Sequence, residues 1–204
     1  MFTRKALDLK DTALLAGFPE YVAQESKAVE LRLFDLGIVP GLLQTTDYAR
    51  AIAAGAVLRN SITQDQADER VAYLARRQAT LRREPPPLIH AVLDESCIRR
   101  PVGGSAVMAA QFDELVAFAQ LPHTVLQVAP YGIGEQRAID LPVNIITLPD
   151  RSLMSYAESA QQGRLERDSG AVPPLLTSYY QLQALALSQA DSVALIRQLR
   201  KELH

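Results

Sequence analysis

The run Ile38-Val39-Pro40-Gly41-Leu42-Leu43-Gln44-Thr45-Thr46-Asp47-Tyr48-Ala49-Arg50 constrains this chain more than any other stretch. A Pro-Gly pair interrupts an apolar segment and then releases it into helical periodicity. Pro40 fixes its own φ and lacks an N–H, while Gly41 can take positive φ, so the chain turns sharply. Thr45 or Thr46 can cap the helix that follows, and Asp47 suits its first turn. Tyr48 and Ile52 share one face of that helix. The physical reading is a buried turn feeding a helix, a determinant of fold.

The 204 residues are 48% hydrophobic and 22% charged, enough for one compact unit with a sizeable core. A formal net charge of -2 and a pI near 5.9 argue against a general nucleic-acid surface. With 6% aromatic residues and no Trp, a stacking platform for single strands is also disfavoured. Cys97 is the sole cysteine, which excludes an intramolecular disulfide and fits a reducing cytoplasm. Arg4, Lys5, Asp8, Lys10 and Asp11 interrupt the first residues, so no signal-peptide core is visible. No apolar run approaches the ~20 residues of a membrane span. Residues 1–17 read as a loose helix or arm.

Along the chain, Tyr21–Ala28 reads as a short helix. Alternation then places Val29, Leu31 and Leu33 on one side of a strand and Glu30, Arg32 and Phe34 on the other. After the Pro-Gly turn and its helix to about Gly55, Thr63 and Gln66 form a capping box. Ala67, Val71, Leu74, Ala75, Gln78 and Leu81 make one helical stripe. Arg70, Arg76, Arg77, Arg82 and Arg83 read as a solvated face or as a patch for phosphate or an acidic partner. Pro85-Pro86-Pro87 ends this helix as a stiff spacer. Beyond it come a strand at Leu88–Leu93, a helix capped by Ser105, a strand at Thr124–Ala129 and a loop over Tyr131–Leu141. Strands at Val143–Leu148 and Leu153–Glu158 flank a Pro149-Asp150 turn. Gln161–Val172 reads as polar and exposed. A helix from Pro173 to Leu187 precedes a last one capped by Ser188 with Asp191. The expected fold is α+β: a mainly helical part over 1–84, then a small mixed sheet packed with helices over 88–204, together one compact unit.

Chemistry has few places to sit. Gly103-Gly104 precedes a helix but belongs to neither GxxxxGK[ST] nor GxGxxG, so it reads as a turn or, less simply, an anion-holding helix N-terminus. His90, His123 and His204 are scattered, and no metal or cofactor is expected. No GxSxG is present, and Cys97 reads as a buried inert thiol rather than a partner of His90. Asp94-Glu95 with Arg99-Arg100 stands at a strand end, where open sheets gather their sites. Glu95 and Arg99 are spaced as an i,i+4 ion pair. The alternative has Glu95 facing a cleft as a ligand group or general base. Tyr156 and Glu158 share a face of their strand. If Glu95 joined them, two carboxylates and a phenol could hold a proton for acid–base work.

The motif VPGLLQTxxYAR, as Val39–Arg50, resembles the opening signature of DUF5753. This actinobacterial domain usually follows an Xre-type helix-turn-helix in transcriptional regulators. Further resemblances follow in order: Arg77-Gln78 with Leu81, Asp94-Glu95 with Arg99-Arg100, Gly103, Gln111, Pro130, Tyr156 with Glu158, and Ala186-Leu187-Ser188 with Ser192. A helix-turn-helix would need roughly 60 residues ahead of this point, so the chain is expected to be either a truncated regulator or a stand-alone copy. The resemblance implies a cytoplasmic sensory domain that binds a small-molecule ligand or a small partner protein, without direct contact to nucleic acid or membrane. A homodimer is compatible with it. The ligand-binding candidates are Asp94, Glu95, Arg99, Arg100, Gln111, Tyr156 and Glu158. A second expectation is a copy recruited into secondary metabolism as an enzyme, with Glu95, Tyr156 and Glu158 as catalytic candidates. The family pattern carries a histidine and a "GPF" lead-in where this chain reads Gly134-Glu135-Gln136-Arg137 and Leu141-Pro142-Val143, which implies a differently shaped pocket.

Overall fold

The computed structural model describes residues 14–158 and 162–203. The arm expected over 1–17 therefore lies mostly outside the described residues. In chain order the elements are α1 (Phe18–Glu25), β1 (Glu30–Asp35), α2 (Thr46–Leu58), α3 (Gln64–Gln78), β2 (Leu88–Asp94), α4 (Ser96–Arg99), α5 (Ser105–Phe118), β3 (Thr124–Ala129), β4 (Val143–Thr147), β5 (Leu153–Glu158), β6 (Gly163–Glu166), α6 (Val172–Leu185) and α7 (Gln189–Glu202). They form one mixed sheet in the order β3-β2-β1-β4-β5-β6, parallel across β3-β2-β1 and antiparallel from β1 to β6. The fold is α+β. Strand β1, encoded before the proline run, stands between β2 and β4, so the sheet is continuous across that spacer.

Helices cover both faces of the sheet. On one face Leu31, Leu33, Leu93, Leu126 and Ile146 pack with Tyr21 of α1, Tyr48 of α2, Phe112 and Leu115 of α5 and Ile196 of α7. On the other, Phe34, Val92, Val143 and Ile145 meet Tyr179 and Leu182 of α6. Arg32 points to this second face, where α6 buries it. Its guanidinium is satisfied by Glu30 at 2.7 Å, the Thr147 hydroxyl at 3.0 Å and the Tyr180 hydroxyl at 3.1 Å.

Local signals set most element ends. The Thr45 hydroxyl accepts from the Tyr48 N–H, the Thr63–Gln66 capping box is complete, and Ser188 accepts from the Asp191 N–H. Two expectations need correction. Gly104, not Ser105, holds the cap position of α5. Gly103 and Gly104 both have positive φ, and a methyl on Gly103 would press on Ala51 and Val107. Within the exposed loop expected over 161–172, Gly163–Glu166 forms strand β6, too short to declare a period and ordered by the free edge of β5. The outer edge of β3 is also protected, because its Leu126 and Val128 N–H groups donate to Gln189 Oε1 and Ser192 Oγ.

The Pro-Gly turn is a buried, irregular piece of backbone clamped by side chains. Gln78 of α3 donates to the carbonyls of Gly41, Leu42 and Gln44 at 3.1, 3.3 and 2.7 Å. Gln111 of α5 donates to the Leu43 carbonyl at 2.7 Å and accepts from the Thr45 N–H at 2.8 Å. The Tyr48 hydroxyl accepts from the Val39 N–H, and Gln44 Nε2 donates to the Val39 carbonyl. Without these partners the buried peptide groups would each forfeit about 1–3 kcal/mol. Gln111→Leu keeps volume but orphans one carbonyl and one N–H, so it should destabilise the fold by about 2–4 kcal/mol in urea denaturation. A change below about 0.5 kcal/mol would show that the clamp is dispensable.

Candidate functional site

A cavity of about 330 Å³ opens between this turn and one end of the sheet. Its walls are apolar at Phe18, Leu33, Leu36, Ile38, Pro40 and Pro142, with polar groups from Asp35, Arg77, Asn144, Tyr156 and Glu158. Strand pairing explains the gathering. Leu33, Asn144 and Tyr156 stand in register on β1, β4 and β5. Two residues on, Asp35 and Glu158 therefore share that face at the carboxyl ends of their strands. Extending the register to Asp35 and Glu158 places Pro142, which also lines the cavity, between them.

The floor holds a buried charge cluster. Glu25, with no exposed surface, takes both arms of the Arg77 guanidinium, Nε at 2.6 Å and Nη2 at 2.5 Å. The Tyr21 hydroxyl donates to Glu25 at 2.5 Å, and Arg77 lies 5.2 Å from the Phe18 ring centre and 5.3 Å from that of Tyr21. Tyr21 stacks on Tyr156 at 4.2 Å, and the Tyr156 hydroxyl donates to Glu158 at 3.0 Å. A methyl on Gly163 would collide with that hydroxyl. Burial raises the Tyr21 and Tyr156 phenols, so both are neutral donors.

Asp35 differs from every other acid around the turn. Its half-buried carboxyl lines the cavity and takes no hydrogen bond from the described residues. Burial pushes its pKa up to about 7, assisted by Glu158 and opposed by Arg77. The Asn144 amide and Arg77 Nη1 line the same cavity, also without a hydrogen-bond partner among the described residues. Unpaired polar groups at a cavity wall are where a ligand finds its contacts.

The residues singled out from sequence do not all meet here. Tyr156 and Glu158 are in the wall. Asp94 and Glu95 are not, because Leu93 shares a row with Asp35 and the next residue turns to the opposite face. Asp94 accepts from the Ser96 N–H at 2.9 Å and from its hydroxyl, and pairs with Arg137 at 3.1 Å. Glu95 forms the i,i+4 pair with Arg99 at 2.9 Å and accepts from the Tyr131 N–H at 2.8 Å. Both acids thus fasten the 131–137 loop. Gln111 belongs to the clamp, and Arg100 is exposed beside Gly37. Cys97 is buried, its thiol pushed well up by burial and donating to the Asp35 carbonyl at 3.2 Å. His90 faces Glu30 at 3.5 Å instead. Among the described residues no group of three His, Cys, Asp or Glu side chains could hold a metal.

Sequence reading gives Asp35 and Asn144 no role and places Arg77 in a basic face that is solvated or open to phosphate or an acidic partner. Asp35 carried the same signal as Asp94, an acid closing an apolar strand. Arg77 looked like part of a solvated basic face, but it turns inward. So does Arg83, which donates to the carbonyls of Ser26 and Ala28.

An acid with a raised native pKa opposes folding once it ionises. The unfolded chain loses its proton near pH ~4 and the native state near 7, so stability falls across that window. Asp35→Asn should therefore stabilise the protein by about 1–3 kcal/mol above pH ~7, with the gain fading toward pH ~4, as measured by thermal denaturation at several pH values. A gain independent of pH would contradict the raised pKa.

Among the described residues no helix is long and apolar enough to cross a membrane. No curated protein and no solved structure matches the chain. A family model described as a domain of unknown function, DUF5753, matches residues 18–198 and so takes in the clamp, the charge cluster and the cavity. The chain belongs to the DUF5753 family.

Proposed function

We propose that this chain is a ligand-binding regulatory domain whose site is the cavity between the Pro-Gly turn and the ends of β1, β4 and β5. The observation that carries the reading is the Asp35 carboxyl, which faces the cavity with no hydrogen-bond partner among the described residues and a pKa raised to about 7. A fold retains such a group at a cost in stability, and perturbed titratable groups in clefts mark functional sites. A volume of about 330 Å³ suits a small organic molecule rather than a protein segment. In the Xre-type regulators of actinobacteria that the sequence resembles, the ligand would bias an attached DNA-binding domain through the clamped turn, which forms one wall of the site. The acid–base alternative has less behind it: Glu95 is spent on Arg99 and the Tyr131 N–H, away from Tyr156 and Glu158.

A metabolite panel screened by thermal shift should contain compounds that stabilise the wild-type chain. Asn144→Leu, which removes one unpaired group from the wall, should weaken their binding about tenfold or more. Hits that bind Asn144→Leu as tightly as wild type would place the site elsewhere.

A further inference from the structure

Within that reading of the cavity, on which this inference rests, the ligand's charge can be read from the wall. Among the described residues Arg77 is the one cationic side chain in the lining, and Glu25 neutralises it at 2.5–2.6 Å from a position with no exposed surface. Asp35 and Glu158 remain, both on the cavity side of the sheet, with no salt bridge to either among the described residues. Successive strands are ~4.8 Å apart, so the two acids stand about 10 Å apart at their Cα atoms, with Pro142 between. Side chains reaching inward from that separation can share one small cation. Pro142 adds no N–H to compete for the carboxylates. Around them Leu36, Ile38 and Pro40 offer an apolar rim.

We propose that the cavity takes an organic ammonium ion, a protonated amine on a compact apolar body. The nitrogen sits between Asp35 and Glu158, and the body rests against Leu36, Ile38, Pro40 and Pro142. Arg77 Nη1 and the Asn144 amide are then left for a neutral polar group on the same molecule. A cation relieves both causes of Asp35's raised pKa, desolvation and the neighbouring Glu158 charge. An anion would face two carboxylates, and a neutral molecule would leave the cost of burying Asp35 unrelieved.

Among the described residues the charged and titratable groups around Asp35 are few. They are Arg77 of α3, Glu158 and the neutral Tyr156 of β5, and the protonated Cys97 of α4, whose thiol donates to the Asp35 carbonyl; Arg100 lies by Gly37. Arg70 lines a separate smaller hollow with Glu158. Asp35 carries a pKa raised to about 7, so binding of a cation should strengthen as pH rises through that value.

The test is calorimetry with three probes of one shape: benzylamine, benzyl alcohol and benzoate. At about pH 8, benzylamine should bind about tenfold or more tighter than either of the others. Its affinity should fall several-fold at about pH 6, and the preference should vanish in Asp35→Asn and shrink in Glu158→Gln. The second substitution lies at an exposed position and serves if the first perturbs the fold. Absence of benzylamine binding at millimolar concentration overturns the proposal, as does binding unchanged in both variants. Tighter binding of benzoate or benzyl alcohol that is lost in Asn144→Leu would overturn the ammonium assignment while leaving the cavity as a ligand site. No binding of any probe or panel compound in the cavity would remove the underlying reading as well.

Discussion

The backbone between Val39 and Thr45 is buried and irregular, and side chains from three helices supply the hydrogen bonds it cannot make with itself. Tyr48 of α2, Gln78 of α3 and Gln111 of α5 converge on it. Inside a protein an unpaired peptide group is costly, so these contacts decide whether the turn can exist at all. With the turn fixed, α3 packs on it and on α2, and a gap is left where the strand ends do not meet the turn. The cavity is that gap. The same construction gives a physical meaning to several residues of the family signature: Gln44, Tyr48, Gln78 and Gln111 act on the turn, and Ser192 caps the edge of β3.

The charge cluster beneath the turn serves a second purpose. A buried, bidentate Glu25–Arg77 pair joins α1 to α3 and leaves its floor nearly neutral. Removing one partner would bury an uncompensated charge, so the pair behaves as a unit. Against that neutral floor stand the two wall acids, Asp35 and Glu158, with no salt bridge to either among the described residues. Asp35 has the clearest consequence: its half-buried carboxyl lines the cavity, and burial raises its pKa.

What was legible in the sequence was local. Capping pairs three residues apart, the Pro-Gly turn, the alternation of β1 and the Pro149-Asp150 hairpin are written in adjacent residues, and the structure reproduces them. The long-range links were not. Gln78 and Gln111 meet the turn across dozens of residues, and Arg77 reaches Glu25 from another helix, so helical periodicity could mark a face but not the neighbour on it. The expectation that strand ends gather polar groups points to the end of the sheet where the cavity opens. It missed that Asp94 stands one residue past the row of Asp35 and so faces the other way, which separates Glu95 from Tyr156 and Glu158. Of the stretch Leu141-Pro142-Val143, where a departure from the family pattern is expected, Pro142 and Val143 lie in the cavity wall.

Direct titration of the Asp35 side-chain carboxyl by carbon-detected NMR tests the central claim, that the fold presents an unanswered acid to an open cavity. The account predicts a midpoint near pH 7 in the free protein, shifted down in Glu158→Gln as a neighbouring negative charge is removed. A midpoint near the ordinary value of ~4 in the free protein would contradict it.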